Sequence, residues 1–180
     1  MAPLFLLNNC FWLFFYTIMV SSVVSAYSRT IMTRFVLIET QHKGNVGAAA
    51  RALKTMGFDA LVLLSPRDSK VLSRQRTKEA ASGAVDVLAK TQIVESLDQA
   101  LEGTTHVCAT AMPHSMSLTR PEYDTFQAPR VYFENILQND RDVRIAFLFG
   151  NERVGMREKH VLKCDALLGI PTNPVSVSCV

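Results

Sequence analysis

No two cysteines in this chain have C-x-x-C spacing: Cys10, Cys108, Cys164 and Cys179 lie far apart. The four histidines, His42, His106, His114 and His160, add no ligand pattern either. A zinc site or dithiol redox motif is therefore not expected, the thiols are read as reduced, and no metal is predicted. Also missing are G-x-G-x-x-G and G-x-x-x-x-G-K-[ST], which excludes the dinucleotide fingerprint and the P-loop. Charge of one sign is scarce: 19 basic against 16 acidic residues give +3, which permits a local basic patch without demanding a polyanionic partner. There is no internal repeat and no low-complexity tract.

Charge is absent altogether from the first 28 residues, where LFLLNNCFWLFFYTIMVSSVVSA is apolar for long enough to be a signal sequence or a membrane span. Val24-Ser25-Ala26 suits a signal-peptidase site, yet no basic segment precedes the apolar run. Three readings of this extension, residues 1–31, stay open. It is a targeting peptide leading to an organelle, a membrane anchor if retained, or a false extension upstream of a true start at Met32, which would leave the protein cytoplasmic. None of them alters the domain expected over residues 33–180.

What is present is a chain of 180 residues, 48% of them hydrophobic, enough to bury one core as one domain. Short aliphatic runs alternate with helical patterns. Strands are expected at FVLIE (35–39), ALVLL (60–64), TQIV (91–94), HVCAT (106–110), IAFLF (145–149) and ALLGI (166–170). Helices are expected over 46–56, 77–90, 97–101 and roughly 157–163, the third opened by a capping box of Ser96 and Gln99. The segment 112–129, with three prolines, reads as a surface loop. The alternation predicts an α/β fold with a mainly parallel sheet and helices on both faces, its ligands gathering at the carboxyl ends of strands.

Three strand-to-turn stretches stand out. GNVGAAARALKTMGF (44–58) places Asn45 to cap a helix, Gly57 to end it, and Gly47 on one face with Arg51, leaving room for a ligand or another backbone to approach. FLFGNERVGM (147–156) runs a strand into a turn with Gly150, Asn151, Glu152 and Gly155, and LLGIPTNP (167–174) repeats the pattern. Each turn alone is explicable as structure, and Arg51 alone as a solvated surface arginine. Three after strands are what a shared crevice requires.

Together these stretches resemble the SpoU/TrmH family of knotted, SPOUT-class RNA ribose methyltransferases, and most of all its TrmJ-type tRNA members. The family motif N-x-G-x-x-x-R is matched by Asn45, Gly47 and Arg51, and F-G-x-E-x-x-G by Phe149, Gly150, Glu152 and Gly155. The third motif begins with Ile170-Pro171-Thr172-Asn173-Pro174, and the likeness also takes in ETQHKG and KEAASGAVDVL. After Pro174 it stops: Val175-Ser176-Val177-Ser178-Cys179-Val180 replaces the usual Ser-Leu-Asn stretch and final helix. In the family that portion threads a trefoil knot, contacts the methyl donor and helps form a homodimer. A SpoU-like domain lacking its C-terminal end, with an incomplete knot, is therefore the expectation, and a non-catalytic RNA- or donor-binding remnant is the alternative to an enzyme.

The resemblance implies methyl transfer from S-adenosyl-L-methionine to a ribose 2′-hydroxyl of RNA, specifically tRNA. Arg51 is the matching catalytic residue. A guanidinium stays protonated, with a pKa above ~12, so we assign it to holding the target phosphate and opposing charge on the forming alkoxide rather than to general base. Glu152 is expected either to accept hydrogen bonds from Asn45 or Arg51, orienting the arginine, or to serve as a helix-start carboxylate. By the same resemblance the donor pocket uses Thr110, Ala111, Met112, Gly150 and Ile170 through backbone groups, although Thr110 and Ala111 also read as a simple strand end. For RNA the basic run SRQRTKE supplies Arg74, Arg76 and Lys78, with His42 and Lys43 nearby, while the bland reading of such a run is a solvated face.

Overall fold

The computed structural model describes residues 32–110, 129–140 and 142–168. The extension 1–31, Ala111, Met112, the turn at 170–174 and the C-terminal stretch lie outside the described residues, as does the loop expected after Met112 up to residue 128.

Six short strands form one sheet: β1 (Met32–Ile38), β2 (Leu61–Leu64), β3 (Gln92–Val94), β4 (His106–Thr110), β5 (Arg144–Phe149) and β6 (Ala166–Leu168). Their order is β3-β2-β1-β5-β4-β6, and every neighbouring pair is parallel. Strands buried on both faces read as unbroken aliphatic runs, which is why all four residues of β2 are buried. The register sets Phe35 opposite both Leu61 and Phe147, and the rings of Phe35 and Phe147 stack at 5.3 Å.

The helices are α1 (Lys43–Thr55), α2 (Gln75–Ala81), α3 (Val85–Lys90), α4 (Leu97–Ala100), α5 (Pro129–Asn139) and α6 (Glu158–Val161). Because side chains alternate along a strand, the sheet has two apolar faces. Phe35, Leu37, Leu63, Phe147 and Leu168 meet α1, α3 and α5, whereas Val36, Ile38, Val107, Leu148 and Leu167 meet α4 and α6. The outcome is the expected sheet with helices on both faces.

α1 ends as its sequence dictates. Gly57 takes φ +81°, its N–H donates to the Lys54 carbonyl at 3.1 Å, and the Phe58 N–H donates to Leu53 at 2.9 Å, the paired bonds of a Schellman cap. Ser96 and Gln99 make the capping box at α4. Two expectations change. The helix expected over 77–90 is two helices, broken at Ser82 (φ +51°), so that α2 lies on α1 while α3 reaches the sheet. α5 was not foreseen, although Pro129 at its first position is a recognised helix start.

Connections fix where a site can form. β1 leads through α1 to β2 on one side, whereas β5 leads past β4 to β6 on the other. The chain thus diverges between β1 and β5, whose carboxyl ends are neighbours, and this is the topological switch point where open parallel sheets place their crevice.

Candidate functional site

At that switch point the loop after β1 meets the loop after β5, and Glu152 is the junction. Its Oε1 accepts from the Thr40 hydroxyl at 2.5 Å and from Asn45 Nδ2 at 3.0 Å. Its Oε2 accepts from the Gln41 N–H at 3.0 Å, and the His42 N–H approaches Oε1 at 3.4 Å. Partial burial pushes the carboxyl pKa up, but the Thr40 hydroxyl, the Gln41 amide and the Asn45 amide more than offset this and hold it below its ordinary value. Glu152 is therefore ionised at neutral pH and ties four residues of the first motif loop to the second.

This arrangement meets one expectation, that Glu152 accepts a hydrogen bond from Asn45, and corrects three others. Asn45 does not cap α1: His42 is the N-cap, no side chain caps it, and Asn45 lies inside the first turn with its amide turned to Glu152. The Glu152 carboxylate instead anchors the segment that leads into α1, accepting the Gln41 and His42 N–H groups just ahead of the helix. Glu152 is not a start carboxylate of the following helix, since α6 begins at Glu158. Nor does it bond Arg51, which is exposed and has no hydrogen bond or ion pair through its guanidinium among the described residues.

The glycines serve backbone approach. A Cβ on Gly47 would lie 2.1 Å from the Thr77 carbonyl oxygen and 2.8 Å from Ala80 Cβ, so the space beside Arg51 is filled by α2. Of the two occupants expected there, another backbone is the one found. A Cβ on Gly150 would lie 2.5 Å from the Gly155 carbonyl carbon, because the Gly155–Met156 peptide crosses directly over it. Asn151 closes that loop with two backbone bonds to Gly155, accepts from the Arg153 N–H at 2.9 Å, and donates its side-chain amide to the Glu39 carbonyl at 2.6 Å. Glu39 itself holds φ +49° and pairs with Arg157 at 2.8 Å. A strained, doubly anchored residue thus begins the first motif loop.

Thr110 ends β4, buried, and its hydroxyl donates to the Leu148 carbonyl of β5 at 3.2 Å. Thr110 also pairs with Leu168 of β6, so the carboxyl ends of β4, β5 and β6 converge where Thr110 and Gly150 stand. The threonine hydroxyl is engaged and Gly150 lacks a side chain, so what these two residues offer at that edge is backbone groups. Ile170 follows β6 but lies outside the described residues.

In the basic run, Arg74 forks onto Asp68, Nε to Oδ2 at 2.7 Å and Nη2 to Oδ1 at 3.2 Å, and Lys43 stands 3.6 Å away. The Arg74 guanidinium holds the Asp68 carboxyl down at about 2. Arg76 and Lys78 are exposed and form no ion pair among the described residues. Thr40 and Gln41 escaped the sequence reading. Their only signal was their place in ETQHKGN, immediately before the motif.

The match to known proteins agrees with this geometry. The model of the SpoU rRNA Methylase family matches residues 32–178. A tRNA (cytidine/uridine-2'-O-)-methyltransferase TrmJ of Photorhabdus laumondii is 39% identical over 144 residues, which are 78% of this chain and 55% of that protein. The chain spans about half the length of the curated relatives it matches. Among solved structures, a probable methyltransferase from Bordetella pertussis Tohama I superposes with a TM-score of 0.70 at 33% identity, covering 83% of this chain and 86% of that one. TrmJ from Z. mobilis ZM4 gives 0.70 at 28% identity, covering 83% and 62%. With both motif loops joined at the switch point of an all-parallel sheet, and a family match over most of its length, the chain belongs to the SpoU rRNA methylase family.

Proposed function

We propose that this protein transfers a methyl group from S-adenosyl-L-methionine to a ribose 2′-hydroxyl of tRNA. The observation that carries the reading is Glu152 clamping the loop of the first motif to that of the second, at the switch point of a sheet of this family. The tRNA activity named for its relatives supports the choice of substrate.

When bound, the donor supplies an electrophilic methyl on a sulfonium. Thr110 and Gly150, with Ala111, Met112 and Ile170 after the neighbouring strand ends, would hold it through main-chain groups. Arg51 is exposed on α1, free to meet a polyanion. Its guanidinium keeps its charge, so it steadies a phosphate and opposes the negative charge developing on the 2′-oxygen, whose proton leaves to phosphate or water. Lysine replaces it poorly, lacking the planar fork. Glu152 and Asn45 hold the start of the helix that carries Arg51. The working unit we propose is a homodimer, in which a second copy completes the surroundings of Arg51; a monomeric mass for the active fraction would overturn that clause.

The test is methyl transfer from labelled donor to tRNA by the purified chain. Arg51→Ala is expected to lower kcat about 100-fold or more, the scale set by removing one group that stabilises transition-state charge, while calorimetric donor binding stays within about twofold, as for a residue acting only on the acceptor. Full turnover in the variant overturns the role of Arg51. No transfer to any RNA by the wild type overturns the function.

A further inference from the structure

Charge around the first motif loop is unevenly engaged. Among the described residues, Asp68 takes both Arg74 and Lys43. Elsewhere Lys54 is paired with Asp86, Lys90 with Asp59, Arg157 with Glu39 and Lys163 with Asp98. Arg67 and Arg76 have no carboxylate. Both are exposed, and they come from different elements to the same loop. Arg67 follows β2: its N–H donates to the Thr40 carbonyl at 3.1 Å and its Nη1 to Gln41 Oε1 at 3.4 Å. Arg76, in the first turn of α2, lies across Gly44, whose Cβ if present would be 3.8 Å from Arg76 Nε.

Neither arginine belongs to a family motif, yet Arg76 lies at Gly44, next to Asn45, and Arg67 bonds Thr40 and Gln41 in the loop leading into it. Gly44 and Arg51 are seven residues apart, two turns along α1 on one face, a rise of about 10 Å. Arg76 at Gly44 and Arg51 therefore share one face of α1, and Arg67 stands at Gln41, just ahead of its first turn. Two carboxylates among the described residues touch residues 40–45, and both are engaged: Asp68 holds Arg74 and Lys43, and Glu152 accepts from four donors, so neither is an idle competitor for these guanidiniums. The first turn of α1 contains no acidic residue. Two forked, permanently charged groups without counter-ions are suited to phosphate oxygens.

We propose that Arg67 and Arg76 bind backbone phosphates of the RNA strand whose ribose is presented to Arg51, and that Arg74, in the same basic run, is instead a scaffold residue held by Asp68. This rests on the RNA reading above. The two guanidiniums are positioning residues: they fix the strand and its register and carry no sequence information.

The experiment is fluorescence-anisotropy titration of a tRNA transcript with the full chain over a range of salt concentrations. Arg67→Ala and Arg76→Ala are each expected to reduce the slope of log affinity against log salt by about 0.7, the value for one phosphate contact on a single strand. Arg67→Lys and Arg76→Lys should retain most of it. The double variant Asp68→Asn/Arg74→Gln, which removes an ion pair at constant net charge, should leave the slope unchanged. Thermal melting of each variant reports the fold separately. If tRNA binds and the two alanine variants keep the wild-type slope, this inference falls and the proposed function stands. If the wild type shows no salt-dependent tRNA binding, both fall.

Discussion

Glu152 shows how one side chain can organise two motifs. As a charged acceptor it meets a hydroxyl, two backbone N–H groups and a carboxamide at once, and bonds of this kind are shorter and stronger than neutral ones. Glu152→Gln keeps the shape but gives up the charge and one acceptor oxygen. We expect it to lower stability by about 1–2 kcal/mol in urea unfolding at neutral pH, given the group's partial exposure, and to lower kcat more than donor affinity because α1 carries Arg51. A variant as stable as the wild type would show that the clamp is dispensable. Sequence pattern could name Glu152, because the family motif includes it, and of the two partners offered for it Asn45 is found and Arg51 is not, while Thr40, Gln41 and His42 were not foreseen. Asn45 looked like a cap because Asn is favoured there. The actual acceptor arrives from 107 residues away, a distance no local rule spans.

Elements pack by the same logic of close approach. α1 and α2 touch where Gly47 admits the Thr77 carbonyl, and the Thr77 hydroxyl returns a bond to the Lys43 carbonyl at 3.1 Å. Gly47→Ala must push α2 away from α1, at a cost of about 1–3 kcal/mol typical of overpacking. Gly83→Ala is the contrast, since a Cβ there meets nothing within 4 Å and no positive φ is required. It should be neutral or stabilise by about 0.4–1 kcal/mol through the unfolded chain. Denaturant midpoints separate the two, and equal effects would refute the close seam. The strand and helix periods of β1, β2, β4, β5 and α1 were legible because each is bounded by turn residues and repeats at its own spacing. The break at Ser82 had a local signal that was passed over. The two flanks of KEAASGAVDVL favour helix, but Ser82-Gly83 between them is a turn dipeptide, and the packing of α2 on α1 and of α3 against β2 makes use of it.

Across the whole molecule, two part-buried titrating groups act on stability in the same direction. His160 is 6% exposed, its Nδ1 has no hydrogen-bond partner among the described residues, and burial with neighbouring Lys159, Arg157 and Lys163 pushes its pKa down against the opposing pull of Glu39. A base with a lowered folded pKa is bound by protons more readily when unfolded, so stability falls as pH drops below its ordinary value of about 6.5. Glu152, also lowered, contributes stability above the ordinary carboxylate range and loses it as pH falls through its folded value. Unfolding free energy should therefore decline in two steps on acidification. His160→Leu should abolish the upper step while leaving the lower one, as followed by urea titrations across pH. A wild type with flat stability between neutral pH and the carboxylate range would refute this account of His160.

The sequence by itself determined the strands, the parallel α/β class, the glycine end of α1 and the residue types of both motifs, because these depend on local periodicity and on neighbours within a few positions. Only the tertiary structure decided which carboxylate meets which amide, which arginine of the basic run is engaged by Asp68, and that Arg67 stands beside the first motif. Those outcomes depend on strand order. Inserting β5 between β1 and β4 brings loops more than a hundred residues apart into hydrogen-bonding distance, and burial then fixes the partners of each charge.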